Sequence, residues 1–322
     1  MSGVQATVDR GLANLEVLDA TLRDLAAADP SIRVLTADSR ISGKLVPFAR
    51  EYPQNMVEIG IAEQNLVGVA AGLASCGKKP FVVSPACFLT SRSLEQIKVD
   101  VSYGQNAVRL IGISAGISYG PLGASHHSIA DFAALRAMPG VLVIAPGDNC
   151  ETEAAIRLAA AADGAVYVRL GKRPVSCFHA EGAGPVVVDR ATRLRDGRDV
   201  AIVATGETVH IALGAADILR EHGVDSSVLS VPMVRPLDVD AVVSAAKGAR
   251  AVVVLEEHSV HGGLGEACAS VLMAAGVGVP FRALGIPDEP IVNGDQLEVL
   301  AHYGIDAGGV AHVVGALLDG RR

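Results

Sequence analysis

The chain has 322 residues, 50% of them hydrophobic, with 35 acidic residues against 27 basic and a formal net charge of -8. That length suits two ordinary cores rather than one oversized core. The acidic balance, with no cationic cluster longer than the pair Lys78-Lys79, argues against a nucleic-acid or anionic-membrane surface. No basic start leads into an apolar block and no run approaches the ~18 apolar residues of a membrane helix, so a soluble, cytoplasmic protein is expected. Five cysteines, Cys76, Cys87, Cys150, Cys177 and Cys268, form no C-x-x-C pair, which suggests neither a disulfide framework nor a zinc site.

Short β-branched runs alternate with longer Ala/Leu-rich amphipathic ones, the pattern of parallel strands joined by crossover helices. The expected class is therefore α/β, with two doubly wound domains. A first helix over 8–28 carries Leu12, Leu15, Leu18, Leu22 and Leu25 and stops at Asp29-Pro30. Strands follow near 33–37, 56–60, 80–84, 108–114, 141–146 and 165–170. The segment GKRPVSCFHAEGAGP then lacks either period, and places a domain boundary between 1–176 and 186–322. In the second domain, strands are predicted at 200–205, 226–232, 251–258 and 280–286, with helices at 207–222, 238–247 and 265–275 and a last one closing near Leu318.

Within VEIGIAEQN, residues 57–65, Glu63 opens a helix whose continuation LVGVAAGLAS is apolar on every face, so the helix is predicted to be buried all round. A carboxylate in its first turn either caps free N–H groups or is held for chemistry, paired or keeping its proton. Further on, Glu256, Glu257, His258 and His261 lead into GGLGEA, a glycine-rich strand-to-helix turn. A lone GGLG is weak evidence for a phosphate loop.

GIAEQNLVGVAAGLASCGKKPFVVSPACF resembles the strand–helix–strand core of the pyrimidine-binding domain of transketolases and 1-deoxyxylulose-5-phosphate synthases, which use thiamine diphosphate. The likeness extends through LGASHHSIADFAALRAMPGVLVIAPGDNCE to TGETVHIAL and EEHSVHGGLG, essentially the whole chain. That family holds the cofactor's diphosphate and Mg2+ with a G-D-G motif on a separate domain, and no GDG occurs here. The resemblance thus implies one subunit of a split transketolase. An N-terminal, diphosphate-binding partner subunit would carry the metal, thiamine diphosphate would be shared between them, and two copies of each chain would form a heterotetramer. The implied reaction moves a two-carbon ketol unit from a ketose phosphate to an aldose.

By the same resemblance, Glu63 matches the catalytic carboxylate that exchanges a proton with the aminopyrimidine ring, its proton affinity raised by burial. Phe88 matches the aromatic stacked on that ring, against the alternative of an ordinary core phenylalanine. Asp38 matches an aspartate near the thiazolium, or else forms a turn. His126 matches the histidine that contacts substrate oxygens, while His127 is a loop histidine pointing elsewhere. Arg10, Ser42 and Arg169 match binders of the substrate's terminal phosphate, with Arg173 as the alternative to Arg169. Leu122 replaces an aspartate that reads the hydroxyl next to the carbonyl, Ser114 replaces a phosphate-binding histidine, and Pro85 replaces a second pocket aromatic. These departures imply an unusual sugar: branched, deoxy or sulfonated. The second domain would mainly support assembly. Two rivals share the architecture: the β subunit of a 2-oxo acid dehydrogenase, disfavoured by the G-x-S-H block, and a noncatalytic assembly subunit, disfavoured by intact Glu63, Phe88 and His126.

Overall fold

Residues 11–179 and 186–320 are described by a computed structural model of the chain. Helix α1 (Asn14–Ala28) starts later than the leucine spacing predicts, because Ala13 is held in an antiparallel bridge to Pro174. Leu15, Leu18 and Leu22 form its buried stripe, whereas Leu12 is exposed. The chain continues as β1 (Ile32–Thr36), α2 (Val46–Glu51), β2 (Met56–Glu58), α3 (Glu63–Ser75), β3 (Lys79–Pro85), α4 (Ala86–Arg92) and α5 (Leu94–Gln96), which runs on as a π-helix, Ile97–Tyr103. Then come β4 (Arg109–Ile113), α6 (Asp131–Arg136), β5 (Val141–Ile144), α7 (Asn149–Ala161) and β6 (Ala165–Arg169).

The second half contains β7 (Thr192–Arg195), β8 (Val200–Ala204), α8 (Thr208–Glu221), β9 (Ser226–Ser230), β10 (Met233–Arg235) and α9 (Val239–Lys247). It closes with β11 (Ala251–Ser259), α10 (Leu264–Ala274), β12 (Phe281–Ile286), α11 (Gln296–His302) and α12 (Ala307–Leu318).

Two sheets result, a seven-stranded one in the order β10-β5-β6-β4-β3-β1-β2 and a five-stranded one in the order β12-β11-β8-β9-β7. Their pairings are parallel except for β10 on β5 and β7 on β9. Central strands such as β4, β6 and β8 are buried at every residue, as strands covered by helices on both faces must be. Separate apolar clusters fill both faces of each sheet. The predicted strand 226–232 ends early, at Ser230. Pro232 offers no N–H, and its carbonyl instead accepts from the Ala145 N–H at 2.8 Å, turning β10 onto the edge of the first sheet.

Two buried groups tie elements together. The Arg109 guanidinium donates to the carbonyls of Ala159 (2.9 Å) and Ala162 (2.9 Å), capping the negative end of α7. Tyr167 lies across Gly112, where a Cβ would come 2.4 Å from its hydroxyl, and so reaches Asp131 at 2.7 Å. Among the described residues, no helix is long and apolar enough to cross a membrane.

Candidate functional site

The loops that follow β1, β2, β3, β4 and β6 gather at the carboxyl ends of the first sheet, where open α/β sheets hold ligands. Glu63 is the first residue of α3 and only 1% exposed. The helix is not buried all round as predicted: Leu66, Val67, Ala70 and Ala71 face the core, while Gln64, Asn65, Gly72 and Ser75 face outward. Its residues are small enough to look apolar on every side, yet only one side has a sheet to cover. The Glu63 carboxylate accepts a hydrogen bond from the guanidinium of Arg92, which is 42% exposed and offsets the burial of the negative charge.

From that pair a continuous row of contacts crosses the sheet. Arg92 stands 4.7 Å over the Phe88 ring. Phe88 meets His126 edge-on at 5.2 Å, His126 meets Tyr119 at 5.3 Å, and the Lys172 ammonium sits 5.1 Å from the centre of the Tyr119 ring. His126 Nδ1 is 3.0 Å from the Ser125 hydroxyl. His127 turns inward and places Nε2 3.0 Å from the Gly120 carbonyl, and burial lowers its proton affinity.

Beside this row, the loop after β1 is stitched to β2. Glu58 accepts from the Thr36 hydroxyl (2.7 Å), the Asp38 N–H (2.7 Å) and the Gly60 N–H (3.0 Å). Burial works to raise its pKa, but those donors hold it below the usual carboxylate range. Asp38 takes a left-handed backbone, φ 57°, with an exposed side chain, and the Ser42 hydroxyl donates to the Ser39 carbonyl at 3.1 Å. Leu122 is 54% exposed at the tip of the turn Gly120–Leu122. Pro85 ends β3 and Ser114 follows β4, both buried. Arg10 lies outside the described residues.

Arg169, expected to bind the substrate's terminal phosphate, does not join the row. Its guanidinium is buried, paired with Asp131 at 2.8 Å, bonded to the carbonyls of Ser128 (3.1 Å) and Glu257 (2.7 Å), and stacked 4.6 Å over Phe132. Burial opposes its charge, yet Asp131 and Glu257 hold its pKa above the usual value. Arg173 pairs with Asp295 at 3.3 Å and lines an interdomain cavity instead. The cation at the end of the row is Lys172, which sequence reasoning passed over between two arginines. Arg92 was missed too, although it lies one helical turn beyond Phe88 and so on the same face.

The second domain braces the site from behind. Glu257 accepts from the Ile117 N–H (2.7 Å) and the Gln296 amide (2.9 Å), fixing the loop that carries Tyr119 and His126. Gly116, with φ 61°, allows this approach: a Cβ there would lie 2.4 Å from the Glu257 carboxyl carbon. Glu256 accepts from the N–H groups of Leu264 (2.7 Å) and Gly265 (2.8 Å), so the donors of the glycine-rich turn are already taken by a carboxyl of the chain itself. Burial pushes the Glu256 carboxyl up to about 7 and His258 down to about 4. Between the domains, a cavity of ≈ 260 Å³ is lined by Arg173, Glu207, His210, Glu257 and Gln296 among others. Burial and the neighbouring Glu257 push Glu207 up to about 8.

The arrangement offers, in order, a paired buried carboxylate, an aromatic face, an imidazole and an ammonium. That set suits a planar nitrogen heterocycle at one end and an anionic, oxygen-rich molecule at the other.

Two family profiles match the chain: the transketolase pyrimidine binding domain over residues 10–176 and the transketolase C-terminal domain over residues 189–310. The chain is 44% identical over 290 residues to one of the subunits of the apulose-4-phosphate transketolase of Phocaeicola vulgatus, covering 90% of this chain and 92% of that one. It is 38% identical over 267 residues to a 6-deoxy-6-sulfo-D-fructose transketolase subunit of a Clostridium species, covering 83% and 82%. A solved structure described as a split gene transketolase, inactive beta4 tetramer, superposes with a TM-score of 0.88 at 36% identity, covering 97% of this chain and 100% of that one.

Proposed function

This chain belongs to the transketolase family, and on that premise we propose that it is the pyrimidine-side subunit of a two-chain transketolase, active only with its partner. The reaction transfers a two-carbon ketol unit from a ketose phosphate of atypical shape to an aldose. The observation that carries this reading is the unbroken row from Glu63 through Arg92, Phe88, His126 and Tyr119 to Lys172.

The donor set fits thiamine diphosphate on its pyrimidine side: a carboxylate for a ring nitrogen, next to a half-buried ring for stacking. When bound, that cofactor supplies the electron sink for carbon–carbon bond cleavage. Glu63 then holds or shares a proton at the pyrimidine N1′, and Arg92 orients its carboxylate. Phe88 offers the stacking face. His126, its Nδ1 beside Ser125, uses Nε2 to pass a proton to and from a substrate oxygen. Lys172 and Tyr119 take the anionic end of the sugar, helped by the Ser42 loop. Asp38 borders the thiazolium. The diphosphate and Mg2+ go to a partner chain bearing the G-D-G motif, in a heterotetramer of two copies of each chain, working in the cytoplasm.

Leu122 supports an atypical sugar, because an exposed apolar tip replaces a hydroxyl reader. Relatives named for apulose-4-phosphate and sulfofructose fit a site that accepts branched or modified ketoses. The test is to combine the chain with its diphosphate-binding partner, thiamine diphosphate and Mg2+ and to assay ketol transfer from a panel of ketose phosphates. Transfer by the pair, with none from either chain alone, is expected. Turnover by this chain alone, or decarboxylation of a 2-oxo acid by the pair, rejects the proposal.

A further inference from the structure

Cys150 and Cys177 are 27 positions apart in sequence, yet the fold sets their Sγ atoms 2.7 Å from one another. Cys150 sits in the first turn of α7, and Cys177 in the segment that leads from the first domain to the second. Both backbones are fixed independently of the sulfurs. Asp148 caps α7 by accepting from the Glu151 N–H at 2.7 Å, and it anchors the linker by accepting from the Phe178 N–H at 2.9 Å. Pro174 bridges to Ala13, and His179 lies 3.3 Å from Glu151. Asp148, Cys150 and Cys177 also have the proximity of a metal-ligand group. Each Asp148 oxygen already accepts from a backbone N–H, so a metal would share those oxygens with the cap and the linker, whereas the two sulfurs face each other directly.

We propose that Cys150 and Cys177 form a reversible disulfide that locks the interdomain linker to α7 under oxidation by small-molecule disulfides. Cys177 is exposed and attacks first. Its thiolate displaces one thiolate from a low-molecular-weight disulfide such as oxidised glutathione, forming a mixed disulfide. Cys150 then loses its proton to solvent and attacks the Cys177 sulfur, expelling the second small thiolate. Two protein thiols are oxidised and one small disulfide is reduced to two thiols. The order follows from the surroundings: Cys150 is pushed up to about 12, first by burial and then by its bond to Cys177, so it acts as the resolving partner. The closed form pins Phe178, whose ring meets His210 of the second domain at 5.4 Å, and so stiffens the junction between the domains.

The test treats the full chain with oxidised glutathione, alkylates the remaining thiols and digests without reductant. A linked Cys150–Cys177 peptide pair, lighter by two hydrogens than its parts, is expected, while exposed Cys76 stops at a glutathione adduct. The melting temperature should rise by several degrees on oxidation, and in neither Cys150→Ser nor Cys177→Ser. A glutathione adduct on Cys177 with Cys150 still open to alkylation overturns the proposal. Zinc retained stoichiometrically by the wild-type chain and lost from both serine variants overturns it equally, and assigns the pair to a metal.

Discussion

A carboxylate withdrawn from water costs several kcal/mol unless a cation or donors stand beside it. Glu63 has Arg92, whereas Glu207 has one oxygen with no hydrogen-bond partner among the described residues. The two substitutions to glutamine therefore separate function from stability. In the reconstituted pair, Glu63→Gln should lower kcat by about 10²–10⁴-fold, the usual worth of a positioned proton donor, with assembly intact by sedimentation. Glu207 has an ordinary value of 4.5 and a folded value of about 8, so the native state keeps a proton the unfolded chain has lost. Its stability contribution is complete below 4.5 and disappears as pH rises through about 8. Glu207→Gln should raise the melting temperature at pH 9 and change little near pH 4; an equal gain at both would rule out this titration. Arg169 and Lys172 divide in the same way. Arg169→Ala leaves Asp131 buried without its cation and should destabilise by about 3–5 kcal/mol in denaturant titration. Lys172→Ala should leave stability unchanged and raise KM for phosphorylated ketoses.

At the scale of elements, the loop between β4 and α6 matters most, because its position is set from the opposite domain. Gly116→Ala forces a side chain into a left-handed backbone and into Glu257, and should cost about 1–3 kcal/mol. It should also lower kcat/KM by displacing the Ile117 N–H from Glu257, with Glu257→Gln giving a milder version of the same loss. The parallel strands and their crossover helices were legible because apolar periodicity reports burial directly. So were Glu63, Phe88 and His126 as candidates, since each stands in a contiguous stretch of sequence. β10 was not legible, because three residues after a proline carry no period and their partner, β5, lies in the first half of the chain. Nor was the π-helix, whose register is set by what it packs against. Lys172 was obscured for a geometric reason. In the run Arg169-Leu170-Gly171-Lys172-Arg173, one cation turns into the interface, one into the site and one toward Asp295, and spacing alone does not rank them.

For the whole molecule, the loops after β1, β2 and β4 present Ile41 (78% exposed), Ile61 (74%) and Leu122 (54%) around the site. Large apolar side chains grouped about a site are what a docking partner covers. Ile61→Asp should weaken association with the proposed partner subunit at least tenfold by sedimentation velocity while leaving the melting temperature of the isolated chain unchanged. Unaltered association would place the partner on another face. The crossing of β10 from the second half of the chain onto the sheet of the first has a practical consequence for anyone dividing the gene. Expressing residues 1–179 alone would strip β5 of its antiparallel neighbour and leave a bare row of backbone donors and acceptors, an invitation to pair with the next copy. Such a fragment should precipitate, and a synthetic peptide spanning residues 231–237 should keep it in solution. The halves of this protein are thus distinguishable on paper and inseparable at the bench.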